Sequence, residues 1–165
     1  MTDQFNAFNR LELHPVCNQK YHTLCEFVRP LTAFRMSDQE AITELLHSYG
    51  VVLASRSMPD LLSIYTSDGV LMAPGFQPAV GSKELKASYE RIFSTIKLDI
   101  KFSIDEIVVM DGEWAFARTT AEGRKYWLQK GTDEFHRNQE IFICRRVEGS
   151  WKIARYCFSS MKPLA

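Results

Sequence analysis

The hydrophobic period of this chain changes once, from nearly four residues to two, and that single change restricts the folds open to it. Before about Lys97 the apolar residues recur at helical steps. From Leu98 onward Leu98, Ile100, Phe102 and Ile104 alternate with Asp99, Lys101, Ser103 and Asp105, as on a strand with one face buried. Helices first and long strands last is an α+β order, and it excludes a doubly wound parallel sheet. The fold class expected is therefore helices packed on a strongly curved, mostly antiparallel sheet.

Ser37 followed by Glu40 forms a capping box, and Ile42, Leu45, Leu46, Tyr49 and Leu53 share one face, which predicts a first helix from about Asp38 to Ser55. Ser57 with Pro59 predicts a short second helix, with Leu61, Leu62 and Tyr65 at helical spacing until Asp68-Gly69. Val70 to Ala73 reads as a short strand broken by Pro74-Gly75, and with residues 77–81 it is expected to form a small hairpin or rim. Ser82 caps a predicted third helix ending near Lys97, with Leu85, Tyr89, Ile92, Phe93 and Ile96 facing a core. The strand that follows slips at Glu106-Ile107, as at a bulge, and turns at Asp111-Gly112. Three more strands are expected, the last from Trp151 to about Met161. Because Ile141-Phe142-Ile143-Cys144 is apolar at every position, both sheet faces should be covered there, one by helices and one by a second subunit.

Residues 1–35 show no sustained period and read as an irregular N-terminal arm, and the domain runs from 36 to 163. Met36, directly before the capping box, is also a candidate initiator. With 45% apolar and 12% aromatic residues, 165 residues suffice for one core. Twenty basic and twenty acidic side chains cancel, so nucleic acid is not expected as a partner. The chain holds no apolar run of about 20 residues, so a membrane is not expected either and a cytoplasmic location is. Cys17, Cys25, Cys144 and Cys157 lack metal or redox spacing and read as reduced, buried thiols. No metal motif, phosphate-cradling loop or dinucleotide fingerprint occurs, so neither a metal nor another cofactor is expected.

The stretches Leu62 to Gly75, Pro78 to Gly81, and Glu140 to Phe142 with Trp151 to Tyr156 together resemble the SnoaL-like (SgcJ/EcaC-type) branch of the nuclear transport factor 2-like superfamily. The likeness covers Met36 to Pro163. It implies a cone-shaped roll, a pocket at the open end, and a homodimer formed through the sheet. It does not imply one activity, since the fold carries isomerases, cyclases, dehydratases and assembly domains.

In a gapless match over Tyr49 to Leu71, Tyr49 falls where the steroid isomerases of this superfamily place their oxyanion-stabilising tyrosine, while Ala73 replaces their carboxylate base. Tyr49 is thus either a hydrogen-bond donor to a substrate oxygen or a core tyrosine. Glu122 and Glu140 are the carboxylates considered as alternative bases. Glu122 with Arg118 also reads as an ion pair at the pocket mouth, and Glu140 with Arg155 as a buried pair fixing the sheet register. Met72, Phe76, Tyr89, Phe93, Phe102, Trp114, Trp127, Phe142 and Phe158, with Arg118 and Arg155, are the expected substrate-binding residues, or else ordinary core. His47 and His136 read as surface or hydrogen-bonded histidines, with a proton shuttle as the other reading. Three functions remain open: binding of a small hydrophobic molecule, a cofactor-independent isomerase, cyclase or dehydratase acting on a polyketide- or steroid-like carbonyl compound, and an oligomeric assembly domain.

Overall fold

The structure is a computed structural model and describes residues 36–161. The arm expected over 1–35, with Cys17 and Cys25, and the stretch to Pro163 lie outside the described residues. The element order is α1 (Asp38–Ser55), α2 (Met58–Ile64), β1 (Tyr65–Met72), β2 (Ala79–Val80), α3 (Gly81–Thr95), β3 (Ile96–Val109), β4 (Trp114–Trp127), β5 (Thr132–Val147) and β6 (Ser150–Ser160). The six strands form one sheet in the order β2-β1-β6-β5-β4-β3. β3 to β6 run as an antiparallel meander, and β1 pairs with β6 in parallel, so the architecture is the expected α+β roll with a mixed sheet. No helix among the described residues is long and apolar enough to cross a membrane.

The capping box opens α1 as read: the Glu40 carboxylate accepts the Ser37 N–H at 2.8 Å, and the Ser37 hydroxyl accepts the Glu40 N–H. The buried stripe of α1 comprises Ile42, Leu45, Leu46, Tyr49, Val52 and Leu53. Gly50 sits within this continuous helix for a packing reason, since a Cβ there would come within 2.9 Å of the Phe102 ring of β3. The helix therefore seats directly on the sheet.

Two boundaries differ from the sequence reading. α2 stops at Ile64 rather than Asp68, because Tyr65 is extended, buried and paired with Ile153 of β6. The register then shifts between Tyr65 and Val70, so the first strand begins with an irregular stretch. α3 runs from Gly81 to Thr95 with Val80 at its N-cap, two residues before the expected Ser82 cap, and ends short of Lys97. The Glu84 carboxylate reaches back to accept the Val80 N–H at 2.8 Å, and no side chain caps the first turn of α3. The bulge in β3 lies where the alternation slips, between Ile104 and Glu106.

The inner face of β4 carries Ala115, Ala117, Thr119 and Ala121, all buried. Small side chains here leave room for the large rings opposite, so Trp114, Phe116, Arg118, Thr120 and Glu122 belong to the outer face. β4 also passes close to β3 at Gly123, where a Cβ would lie 2.2 Å from the Asp99 carbonyl oxygen. Beyond this close approach Lys125 and Trp127 continue the inner face.

Candidate functional site

Between the helices and the inner sheet face lies a cavity of about 540 Å³. This volume falls within the roughly 300–1,000 Å³ typical of small-molecule sites. Tyr49 and Leu53 come from α1, Leu71 from β1, Tyr89 and Ile92 from α3, and Leu98 and Ile100 from β3. Trp127, Asn138, Glu140, Tyr156 and Phe158 complete the sheet side, and Ala73, Pro74 and Phe76 follow the end of β1. The walls are predominantly apolar, so the few polar groups decide how a guest is oriented.

Three of those groups form a chain of hydroxyls. Tyr65 Oη lies 2.8 Å from Tyr89 Oη, which lies 2.9 Å from Tyr49 Oη. Burial holds all three phenols well above their ordinary pKa, so they remain neutral donors. Three hydroxyls carry three protons and share only two links. When the chain runs Tyr65 to Tyr89 to Tyr49, the Tyr49 proton is the one left over, and Tyr49 faces the cavity.

The second group is an acid. Glu140, on β5, is 3% exposed, and each carboxyl oxygen accepts one hydroxyl: Tyr156 Oη donates to Oε1 at 2.8 Å and Thr119 Oγ1 donates to Oε2 at 2.7 Å. Burial pushes its pKa up to about 7, and the two hydrogen bonds oppose that shift. Glu140 is the only carboxylate among the lining residues, and Ala73 lines the same cavity. Asn138, two positions earlier on the same strand face, is 4% exposed and lines the cavity as well.

The structure brings Tyr49, Glu140, Phe76, Tyr89, Trp127 and Phe158 together around this space. Phe102, Phe142 and Phe93 stand behind it: Phe102 packs edge-on to Tyr49 at 5.8 Å, Phe142 stacks on Tyr156 at 4.3 Å, and Phe93 backs Tyr89 at 5.8 Å. Five of the expected residues lie elsewhere. Glu122 is on the outer face with Arg137 at 3.1 Å, and Arg118 pairs with Asp105 and Glu106 rather than with Glu122. Trp114 shares that outer face beneath the Arg145 guanidinium, and Met72 points outward at the end of β1. Arg155 binds the Asp68 carbonyl and carboxylate, since the β5–β6 register sets Glu140 opposite Phe158 and Arg155 opposite Ile143.

The sequence does not single out Tyr65, Tyr156, Thr119 and Asn138 as site residues, and His136, half-buried, lines the cavity with Asn138 and Tyr156. The alternation His136, Asn138, Glu140, Phe142 on β5 was the available signal, since it places three polar side chains on a face that ends in the core. Among the described residues, Cys144 is buried with its thiol pushed up to about 12, and no group of His, Cys, Asp and Glu is arranged to hold a metal ion.

A ketosteroid isomerase-like protein from Erwinia carotovora atroseptica SCRI1043 is 35% identical over 74% of this chain and 95% of its own, with a TM-score of 0.72. A conserved protein from Planctomyces limnophilus DSM 3776 is 23% identical, covering 77% of this chain and 100% of its own with a TM-score of 0.65. A hexachlorocyclohexane dehydrochlorinase of type 2 is 13% identical over 77% and 88% of the two chains, with a TM-score of 0.67. The two last likenesses show the fold alone. No curated protein matches the sequence. The family described as SnoaL-like domain matches residues 45–156, a span that includes Tyr49, Tyr89, Asn138, Glu140 and Tyr156 of the cavity. The chain belongs to the SnoaL-like domain family.

Proposed function

We propose that the cavity binds a small, largely apolar molecule carrying a carbonyl or hydroxyl oxygen, which the Tyr49 hydroxyl receives. The observation that carries this reading is the hydroxyl chain ending at Tyr49 within apolar walls. A donor that is buried, neutral and polarised by two further hydroxyls prefers an oxygen acceptor to an apolar contact. Titration calorimetry with β-naphthol and β-tetralone tests it. Both should bind, and Tyr49→Phe should weaken both by about tenfold, the effect of one lost hydrogen bond in a dry site. Failure of either compound to bind the unaltered protein, at concentrations that saturate ordinary apolar pockets, contradicts the reading.

A second reading, cofactor-independent proton transfer of the isomerase, cyclase or dehydratase kind, is favoured by Glu140. A carboxyl group with a pKa of about 7 is substantially ionised at neutral pH and basic enough to accept a proton from carbon beside a carbonyl. In that step the C–H electron pair moves toward the carbonyl oxygen, the proton passes to Glu140, and Tyr49 donates to the developing oxyanion. Deuterium uptake by β-tetralone from heavy water is the measurement. Exchange above the buffer rate, abolished by Glu140→Gln and slowed about a hundredfold by Tyr49→Phe, is expected for an enzyme. Binding without exchange leaves the first reading alone standing.

For the assembly, the reading is a homodimer formed through the outer sheet face. Its support is apolar surface on that face: Ile141 is exposed, with half-buried Phe116 and Ile143 beside it on the paired strands.

A further inference from the structure

Two of the lining side chains stand at the mouth, because they line the cavity and are also exposed: Arg91 from α3 and Phe76 from the turn after β1. They hold each other, with the Arg91 guanidinium carbon 4.5 Å from the centre of the Phe76 ring. A guanidinium lying on a ring face uses its π surface there and keeps its N–H donors, which point outward in its own plane, for another partner.

Among the described residues no carboxylate lies within ion-pair distance of Arg91. Lys125, a second cation of the lining, is by contrast already paired with Glu134 and sits over the Trp127 ring. Nearby on α3, Ser88 lines the cavity at 8% exposure. Among the described residues the charge layout is therefore polar in the electrical sense: a cation without a carboxylate partner at the entrance, apolar walls, and the one carboxylate of the lining, Glu140, buried within. An anion pushed inward would lose water and approach Glu140, whereas an anion left at the entrance meets a planar fork suited to two parallel hydrogen bonds.

From this we infer that the natural ligand carries, besides the oxygen that Tyr49 receives, a carboxylate at its opposite end, and that it enters body first with this carboxylate held at the mouth by Arg91 on its Phe76 support. The inference rests on the proposed apolar binding function and adds the ligand class and its orientation. Phe76 acts as a positioning residue, and Arg91 is the residue that distinguishes an acid from a neutral molecule of the same length.

Decanoate and decanol, compared by titration calorimetry at about pH 8 where the acid is ionised, separate the possibilities. The unaltered protein should bind decanoate about tenfold more tightly than decanol, with the preference shrinking as salt is added. Arg91→Gln should bring the two affinities together through about a tenfold loss for decanoate, with an unchanged urea midpoint reporting that the variant is folded. Arg91→Lys should retain part of the preference, because a point charge lacks the fork. Equal affinities in the unaltered protein, or a preference that survives Arg91→Gln, overturn the inference while leaving apolar binding intact. Loss of decanol binding in the variant overturns it too, by assigning Arg91 to packing. If the unaltered protein binds neither compound, the apolar binding function falls with it.

Discussion

Glu140 is held by opposing influences of similar kind. Burial disfavours its charge, and the Thr119 and Tyr156 hydroxyls favour it, with burial the larger. The sign of the resulting pH dependence follows from proton counting: with a folded pKa near 7 against 4.5 for the free side chain, the folded state binds more protons between those values. Stability from this group is thus fully present below about pH 4.5 and is lost as pH rises through 7. The span corresponds to about 3 kcal/mol. Urea titrations of Glu140→Gln should show that decline flattened and the variant the more stable protein near pH 8; an unchanged slope would mean that Glu140 is ionised at no unusual cost. At this scale the sequence was partly legible. Tyr49 and Glu140 were visible as candidates, but Tyr65, Tyr89 and Tyr156 come from three separate elements and become partners only through packing.

β4 shows why elements were easier to find than to orient. Its alternation predicts a strand, yet the site residues expected on it, Trp114, Arg118 and Glu122, all lie on one face. Packing turns that face outward, because the helices and the rings of Tyr49 and Phe142 need small neighbours on the inner face. Period alone gives two faces without saying which is buried. Gly123 is the other feature of β4 that period does not explain. Its hydrogen atom occupies space that a methyl group would contest with the Asp99 backbone, and backbone cannot rotate away as a side chain does. Gly123→Ala should therefore destabilise the domain by about 2 kcal/mol or more, read as a lower urea midpoint with little change in slope. A neutral effect would mean that β3 and β4 separate there without loss.

For the molecule as a whole, the order of elements and the switch of period gave the fold class, and the unbroken apolar run in β5 pointed to two covered faces. Within one chain Phe142 and Cys144 are fully buried whereas Ile141 remains 40% exposed, so the helices account for only half of that run. The proposed dimer accounts for the other half. Sedimentation equilibrium should give a two-chain mass, and Ile141→Arg should shift it to one chain while calorimetric binding of β-naphthol persists, since that side chain faces away from the cavity. A one-chain mass for the unaltered protein would remove the dimer reading.

The parallel pairing of β1 with β6 has a consequence in time. The cavity needs Tyr49 from the first helix and Tyr156 and Phe158 from the last strand, which also holds β1 in the sheet. No N-terminal fragment of the domain, however long, contains a finished site until that final strand is in place. A ligand can reward only completed molecules, and at a hundredfold excess over its dissociation constant the reward is about 2.7 kcal/mol. Abundance of the intact protein in a cell would then follow the supply of its ligand.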